Sequence, residues 1–226
     1  MNLSVGVAEA FQEGIPVLAI VGQIPRRLEG CGGFQDSSGR GQTVNALGLW
    51  SSITKCTRQM RSSATFWEDL DAALSALMLP RKGPAALLVP RDVFEEIVPP
   101  APEGWMPPEA LPPVPGANRE DIACIELCKA LEQSKAPVII AGPGLREASA
   151  RRALIAFART HSIPVVTTLS DIAAFPNSDP LYLGTVGTAG HPSAHRYLNE
   201  EADLVVAMGT QLEFMLAGPI QPATQD

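Results

Sequence analysis

The chain has 226 residues, of which 46% are hydrophobic and 18% charged, enough for one large or two small domains with buried cores. Its net charge is −7 at pH 7 and its densest basic cluster is the pair Arg26-Arg27, so no nucleic-acid partner is expected. No apolar run reaches the length of a membrane span, and no basic segment precedes the apolar N-terminal stretch as in a secretory signal. The four cysteines show no C-x-x-C spacing, which favours a reduced, cytoplasmic protein.

Residues 1–97 show an α/β pattern with few strands, interrupted by a glycine-rich loop from Gly30 to Gly41. In chain order, the predicted elements are a helix over 2–13, a strand over 15–22, a strand over 53–57, a helix over 64–79 and a strand over 83–90. Three strands make a small sheet, and the first helix has neither a cap nor a strand before it. We therefore expect this part to be an incomplete domain.

The stretch from Val98 to Asn118 is rich in proline, which donates no backbone hydrogen bond and fixes φ, so neither a helix nor a central strand is expected there. Its eight prolines are Pro99, Pro100, Pro102, Pro107, Pro108, Pro112, Pro113 and Pro115. The composition predicts a semi-extended linker over 98–118, held against one of the neighbouring domains by Trp105.

Residues 119–226 show a more regular alternation. The predicted elements are a helix over 119–133, a strand over 137–141, a helix over 148–161 and strands over 164–168, 181–184 and 203–209, with a short helix over 193–199. The face of the first helix is predicted to be formed by Ile122, Ile125, Cys128 and Leu131, with Cys124 and Cys128 as small buried thiols. Strands that are apolar on both faces and alternate with helices predict an α/β fold with a parallel sheet covered on both sides. The last element ends abruptly after Gly209, so this domain is also expected to be incomplete.

Glycine-rich turns follow these strands. They are Gly142-Pro143-Gly144, Thr167-Thr168-Leu169, Gly187-Thr188-Ala189-Gly190 and Gly209-Thr210-Gln211. The carboxyl ends of parallel strands line one crevice, where helix N-termini attract phosphate, so the turns suggest a nucleotide site. Tight turns with no ligand explain the same residues. The dinucleotide fingerprint is absent because Glu147 occupies the third glycine position, which disfavours an NAD dehydrogenase.

No nucleophile and base stand out together, and no catalytic residue or metal ligand is assigned. The three histidines are His161, His191 and His195. The last two are four residues apart near Glu200, but this spacing matches no zinc signature, so solvated surface histidines are expected.

An ordered set of segments carries a family resemblance. They are Asn2 followed by the 6–11 segment, Ile15 to Pro25, Gly33-Phe34-Gln35-Asp36, Gly83-Pro84 to Val93, Ala136 to Gly144 and Ile163-Pro164-Val165. Taken together, they resemble the thiamine-diphosphate-dependent enzymes of the acetolactate synthase type. Gly22-Gln23-Ile24-Pro25 is similar to the Gly-Gln-x-Pro end of a family strand, and Phe34-Gln35-Asp36 to its Phe-Gln-Glu loop.

The resemblance implies the C-terminal part of a pyrimidine-binding domain, followed by most of a Rossmann-like middle domain. It implies that the intact protein uses thiamine diphosphate and Mg²⁺ on a 2-oxo acid, as a cytoplasmic homo-oligomer, either dimer or tetramer. The family's diphosphate-binding domain and its cofactor-activating glutamate have no match in these 226 residues. A catalytically inactive fragment is therefore expected.

The resemblance also assigns site residues. Asn2 would face the cofactor pyrimidine, Phe34 and Gln35 would line the active site across a dimer interface, and Lys55 would lie at the access channel. The turns that hold FAD in some family members correspond to Gly142, Gly144, Thr168, Leu169, Gly187 and Gly209. Here the family's Gly-Met-His-Gly turn is replaced by Gly187-Thr188-Ala189-Gly190, and its Arg-Phe-Asp-Asp-Arg segment by Gln211-Leu212-Glu213-Phe214. Other members bind ADP or no ligand at these turns.

Three functional hypotheses remain from the sequence. The chain is a fragment of a 2-oxo-acid carboligase or decarboxylase, a nucleotide-binding module without catalysis, or a subunit that needs a separate diphosphate-binding chain.

Overall fold

The computed structural model describes residues 2–79, 81–108 and 119–212, with the side chains of 119–122 excepted. The chain forms two compact units, one within 1–114 and the other within 115–226. Residues 109–118 of the predicted linker and the segment after Leu212 lie outside the described residues.

A parallel sheet forms the centre of the first unit. Its strands are β1 (Leu18–Gln23), β2 (Cys56–Gln59) and β3 (Ala85–Pro90), in the order β1-β3-β2. The helices are α1 (Leu3–Gln12), α2 (Ala46–Ile53), α3 (Phe66–Met78) and α4 (Arg91–Phe94). All six residues of β3 are buried because this strand lies between the other two and is covered on both faces.

The two faces of β3 belong to different core clusters. On the α3 side the cluster is Met60, Ala73, Leu77, Ala85, Leu87, Val89 and Val93. On the side of α1 and α2 it is Val7, Ala19, Ala46, Trp50, Ala86 and Leu88. The alternation of Leu87 and Leu88 between the clusters follows from the two-residue period of a strand.

Helix α2 is absent from the sequence prediction, and the strand predicted over 53–57 spans Cys56–Gln59 instead. The Asn45 side chain caps α2 by accepting a hydrogen bond from the Gly48 N–H at 2.9 Å. The helix is held by burial of Trp50, which is 1% exposed. Glycine, serine and tryptophan in this segment give little local helix signal, so tertiary packing decides the conformation.

The first residues of the predicted linker lie along the first unit. The ring of Trp105 packs on that of Trp67 with centroids 4.8 Å apart. Trp67 Nε1 also donates a hydrogen bond to the Pro99 carbonyl at 2.9 Å. The expected role of Trp105 is confirmed, and the partner is helix α3.

The second unit contains a parallel sheet of the strands β4 (Pro137–Ala141), β5 (Val165–Thr168), β6 (Tyr182–Val186) and β7 (Leu204–Met208), in the order β6-β5-β4-β7. Its helices are α5 (Arg119–Gln133), α6 (Ala148–His161) and α7 (Pro192–Arg196), the last continued by a π-helical turn over Tyr197–Glu201. The chain proceeds from β4 outward to β6 and returns to the other side of β4. The strand order therefore reverses between β4 and β7, as in Rossmann-like sheets, and the predicted α/β fold is confirmed.

Two details of the second unit differ from the prediction. In α5 the half-buried positions are Leu127, Ala130 and Leu131, whereas Ile125 is 55% exposed. Cys124 and Cys128 are both exposed, so their expected burial is wrong. Leu131 of the predicted face packs on the cluster around Ile139, whereas Ile125 and Cys128 of that face are exposed.

The sheet is not fully covered on one face of β7. Val205 is 41% exposed and Ala207 is also exposed, although both are apolar and belong to the strand next to β4. Among the described residues, β4 and β5 are therefore buried on both faces, as predicted for the sheet, whereas β7 is exposed on one face. None of the helices in the described part of the chain has the length and apolarity needed to cross a bilayer.

Candidate functional site

The carboxyl edge of the first sheet brings together most of the residues that the sequence assigns there. Strand β1 ends at Gln23, and the loop that contains Phe34 and Gln35 begins directly after it. Asn2 precedes α1, which leads back to the start of β1, so Asn2 lies at the same edge. Asn2 is exposed and its side chain makes no capping hydrogen bond. The topology therefore places these four residues at one end of the unit.

The loop after β1 is organised by Asp36. Its carboxylate accepts hydrogen bonds from the N–H groups of Gly30 at 2.8 Å and Ser38 at 3.0 Å. The bond from the Ser38 N–H is the largest cause of a lowered pKa of Asp36, and burial opposes it. Ser37 Oγ donates to Gln23 Oε1 at 2.8 Å, which joins the loop to the end of the strand.

Phe34 and Gln35 lie at the outer part of this loop. The ring of Phe34 is 89% exposed, and Gln35 has a left-handed backbone with φ +61°. That conformation costs about 1–2 kcal/mol for a residue with a side chain. The hydrogen bonds of the adjacent Asp36 offset this cost, and the result is an aromatic ring presented outward on a fixed turn.

Lys55 does not join this group. It directly precedes β2, so it lies at the amino edge of the parallel sheet, opposite Phe34. Lys55 Nζ donates to the carbonyl of Arg81 at 2.5 Å. Burial, followed by the charge of Arg81, lowers the pKa of Lys55. Its ammonium is thus engaged at the far edge from the loop that resembles the family's active-site segment.

An ionic network that the sequence analysis did not assign connects loops at the carboxyl edge. Arg26 donates from its backbone N–H and from Nε to the Asp92 carboxylate, at 3.0 and 2.7 Å. A further guanidinium nitrogen of Arg26 lies 2.7 Å from Glu96, whose other oxygen accepts from the Ser63 N–H at 2.7 Å. The loops after β1, β2 and β3 are therefore joined. The segment around Asp92 carries part of the family resemblance, but sequence spacing gives no sign that Arg26 is the partner of Asp92.

At the carboxyl edge of the second sheet, the glycines allow two loops to touch. The N–H groups of Gly142 and Gly144 donate to the carbonyls of Met208 at 2.9 Å and Gly209 at 2.7 Å. A Cβ atom added to Gly142 would lie 2.6 Å from Gly209 O, and one added to Gly144 would lie 2.7 Å from Gly209 Cα. Both contacts are too short for a side chain. Packing between the turns after β4 and β7 thus accounts for these glycines.

The turn after β4 has little capacity left for a phosphate. Besides Gly142 and Gly144, the N–H groups of Leu145 and Arg146 donate to carbonyls of the same turn, at 3.1 and 3.2 Å. The following helix α6 begins after Glu147, whose carboxylate would repel a phosphate group. These residues do not form a phosphate cradle.

Thr168 is the polar residue at this edge whose hydrogen-bonding capacity is unused among the described residues. It is 4% exposed, and its Oγ1 is buried with no hydrogen-bond partner there. It ends β5 and pairs with Val186, directly before Gly187. The following residue, Leu169, is 43% exposed. A hydroxyl in this position is able to donate to, or accept from, a ligand above the strand ends.

The turn from Gly187 to Gly190 is closed by histidines. His195 Nε2 lies 2.9 Å from Gly187 O, and the His191 N–H donates to Thr185 O at 2.7 Å. A Cβ atom on Gly190 would lie 2.5 Å from His195 Nε2. His195 is therefore a half-buried structural residue, which corrects the expectation of a solvated surface histidine, while His191 is exposed. No group of three or more potential metal ligands among His, Cys, Asp and Glu occurs in the part of the chain that the structure describes.

Comparison with known proteins gives one family match and many relatives. The family described as thiamine pyrophosphate enzyme, central domain, matches residues 125–225. The probable acetolactate synthase large subunit of Methanocaldococcus jannaschii is 32% identical over 224 residues, which cover 97% of this chain and 36% of that protein. The acetolactate synthase large subunit of Corynebacterium glutamicum is 30% identical over 231 residues, covering 100% of this chain and 34% of that protein.

A plant protein, the chloroplastic acetolactate synthase 2 of Nicotiana tabacum, is 29% identical over 97% of this chain and 32% of its own length. The chain thus spans about a third of the length of the curated relatives it matches. The similarity extends over both units, and the family match falls on the Rossmann-like second unit. Over at least 97% of its length the chain is therefore similar to acetolactate synthases, and residues 125–225 match the central domain of thiamine pyrophosphate enzymes.

Proposed function

We propose that this chain forms part of a thiamine-diphosphate-dependent 2-oxo-acid carboligase or decarboxylase. To this enzyme it contributes Asn2 facing the cofactor pyrimidine, the Phe34-Gln35 loop that lines the active site, and a middle domain. The observation that carries the proposal is the common location of Asn2, Gln23, Phe34 and Gln35 at one edge of the first sheet. Thiamine diphosphate supplies the nucleophilic carbon and the electron sink for such reactions, and Mg²⁺ would hold its diphosphate.

The described residues fit the aromatic part of that cofactor. The exposed ring of Phe34 offers an apolar surface that excludes water, and Asp36 fixes the loop that presents it. Gln23 is held by Ser37 Oγ at 2.8 Å, so its amide is oriented before any ligand binds. A ring exposed to 89% is also suited to contact a second copy of the chain, and we include a homo-oligomer in the proposal. Four free cysteines fit a cytoplasmic location.

The proposal assigns no catalytic residue or metal ligand to these 226 residues, and the chain alone is expected to be inactive. The proposal concerns these 226 residues, which cover 36% and 34% of the length of two of the relatives. The test is an acetolactate assay on the purified chain with pyruvate, thiamine diphosphate and Mg²⁺. Acetolactate formation by the chain alone, if Phe34→Ala abolishes it, would contradict the expected inactivity. Activity that appears only after a separate diphosphate-binding chain is added would support the expected inactivity of the chain alone.

A second candidate function is nucleotide binding by the second unit, and the orphaned hydroxyl of Thr168 favours it. A buried hydroxyl without a partner costs about 1–3 kcal/mol, which a ligand that pairs with it would recover. The turn after β4 offers no phosphate cradle, so a nucleotide such as FAD or ADP would meet Thr168 through a hydroxyl or ring atom. This function is compatible with the first, because some family members are expected to hold FAD or ADP in the middle domain.

Calorimetric titration with FAD, ADP and thiamine diphosphate distinguishes the candidates. Thr168→Val removes only the hydroxyl, and Thr168→Ser is the matched control that keeps it. We expect Thr168→Val to leave the unliganded chain as stable or more stable and to weaken nucleotide binding about tenfold, since one hydrogen bond is lost. If the parent chain, Thr168→Val and Thr168→Ser bind a nucleotide with equal affinity, Thr168 is not part of the nucleotide site. Absence of nucleotide binding by any of them would reject the second function and leave the first unaffected.

A further inference from the structure

Helix α5 presents two thiols to solvent, one helical turn apart. Cys124 and Cys128 are both free and both exposed. The core side of the helix is formed by Leu127 and Leu131, which are half-buried. The two cysteines therefore occupy the adjoining flank of α5, where neither packing nor a disulfide accounts for them.

The helix geometry disfavours a disulfide between the two. Side chains four residues apart on a helix have Cβ atoms about 5–6 Å apart. A disulfide requires about 3.5–4.5 Å between its Cβ atoms. Oxidation to a disulfide would therefore have to distort α5 between Cys124 and Cys128, and the intact helix keeps the pair as dithiol.

The same spacing suits an ion placed between the two sulfurs. A metal–thiolate bond is about 2.3 Å long for an ion such as Zn²⁺. An ion bound by both sulfurs therefore allows a longer distance between the two sulfur atoms than a direct S–S bond does. Thiolates prefer soft metal ions, among which Cu(I) is prominent. Zn²⁺ in structural sites requires four ligands, whereas a two-coordinate soft ion is satisfied by two thiolates.

We propose that Cys124 and Cys128 form a dithiol site on α5 for a soft, thiophilic monovalent ion of the Cu(I) class. On binding, each thiol releases its proton to solvent and each sulfur donates an electron pair to the ion. Two protons leave for each ion bound, the ion keeps its oxidation state, and no electron is transferred. The bridge connects consecutive turns of the helix, so it also stabilises α5.

The other two cysteines serve as internal comparisons. Cys31 is exposed, but it lies in the loop after β1, with its Sγ 3.9 Å from the carbonyls of Arg27 and Glu29. Cys56 is half-buried, and burial is the main cause that raises the pKa of its thiol. Both are in the first unit and each belongs to a different loop or strand. Removing them leaves the α5 pair unchanged.

The experiment uses the 226-residue chain with Cys31→Ser and Cys56→Ser, titrated anaerobically with Cu(I) in competition with bicinchoninate. We expect one ion per chain, release of two protons, and an increase in helical circular dichroism. Cys124→Ser or Cys128→Ser in that background should weaken binding at least about tenfold, because one of two thiolate ligands is lost.

The matched control keeps two thiols but changes their geometry. Cys128→Ser combined with Glu126→Cys places the pair two residues apart, where the side chains no longer share a face. Binding by this variant as tight as by the original pair would overturn the proposal. So would a stoichiometry of one ion to two chains with dimerisation on size exclusion, since that indicates bridging between molecules. Circular dichroism before copper addition verifies that every variant is folded.

Discussion

Arg26 and Asp92 are 66 residues apart in the chain, yet the Asp92 carboxylate binds both the backbone N–H and the guanidinium of Arg26, at 3.0 and 2.7 Å. Asp92 lies in the first turn of the short helix α4 (Arg91–Phe94) after β3, and Arg26 belongs to the loop after β1. Because β1 and β3 are neighbours in the sheet, the pair joins the loop that contains Phe34 to the segment that follows β3.

Replacing Asp92 by Asn should weaken this connection in a pH-dependent way. The hydrogen bond from the Arg26 side chain is the largest cause that lowers the pKa of Asp92 below its ordinary value of 3.8. A lowered pKa in the folded state means that the ionised carboxylate stabilises the fold above the ordinary value. This contribution is lost as the pH falls through the lower folded value. We expect Asp92→Asn to lower the Tm by a few degrees at pH 7 and to approach the parent chain in acid.

Thermal unfolding at pH 7, 5 and 3 measures this prediction. Glu95→Gln is the matched control, because Glu95 makes an exposed i,i+4 pair with Arg91 at 3.5 Å that should contribute almost nothing. A Tm difference between Asp92→Asn and the parent that persists undiminished at pH 3 would contradict the assignment.

Gly142→Ala should destabilise the second unit by about 1–3 kcal/mol, the usual cost of forcing extra volume into a packed region. The new Cβ would lie 2.6 Å from both Gly209 O and Thr210 Cβ. Urea unfolding checks the change in the free energy of unfolding.

Gly6→Ala provides the opposite case. Gly6 lies in the exposed part of α1 with nothing within 4 Å of the added Cβ, so this substitution should stabilise the chain by about 0.5–1 kcal/mol. Equal effects of the two glycine substitutions would show that the contact between the turns does not determine the requirement for glycine at 142.

Trp105→Ala should release the segment that follows Pro99 from helix α3. The variant loses the ring contact with Trp67, which has a centroid distance of 4.8 Å. Such pairs contribute about 0.5–1.5 kcal/mol beyond the area they bury. We expect faster limited proteolysis between residues 99 and 108 and a change in tryptophan emission. Met106→Ala, at a side chain that is 74% exposed, should leave the cleavage rate unchanged. The contact has no role in holding the segment if both variants are cleaved equally fast.

Asp36→Ala should loosen the loop that presents Phe34 and Gln35. The N–H groups of Gly30 and Ser38 lose their common acceptor, so their hydrogen exchange should accelerate strongly. Asp36→Asn, which retains one carbonyl oxygen, should give an intermediate rate. The amide of Leu87 in the buried strand β3 serves as the internal reference and should exchange at the parent rate. Unchanged exchange at Gly30 in Asp36→Ala would disprove the organising role of the carboxylate.

The sequence predicts most of the strands because they are apolar runs with clear boundaries, whereas β2 (Cys56–Gln59) is polar and begins later than the strand predicted over 53–57. Val138 to Ala141 and Val165 to Thr168, for example, are fully buried and end at a glycine or a polar turn. Alternation with helices predicts parallel strands, although β5 and β6 are parallel with only a 3-10 turn over Leu169–Asp171 between them. Local composition fails where packing decides the structure. Helix α2 includes Gly48, a weak helix former, and the burial of Trp50 supplies the packing that holds it.

In the candidate site, too, some features follow from the local sequence and others from contacts between distant residues. Topology alone places Phe34 and Gln35 at the carboxyl edge, because they follow a strand. The contacts that orient them depend on residues far apart in the chain, such as Asp92 with Arg26, and no spacing rule reveals those. The burial of His195 against Gly187 is missed for the same reason. The exposure of Cys128 depends on which side of α5 meets the sheet, and the helical spacing of Ile125, Cys128 and Leu131 does not reveal that the half-buried side contains Leu127.

The contact between the turn after β4 and the turn after β7 has a consequence for the order in which the second unit is formed during synthesis. Strand β4 lies between β5 and β7, and β7 is the last described strand to leave the ribosome. Until residues 204–209 emerge, the N–H groups of Gly142 and Gly144 lack the Met208 and Gly209 carbonyls that accept from them in the folded unit, and one edge of β4 is unpaired. Contacts between residues this far apart slow folding, because the intervening chain must be ordered first. We therefore expect this unit to reach its native state only after β7 is translated, with nascent chains that end before it exposed to chaperones.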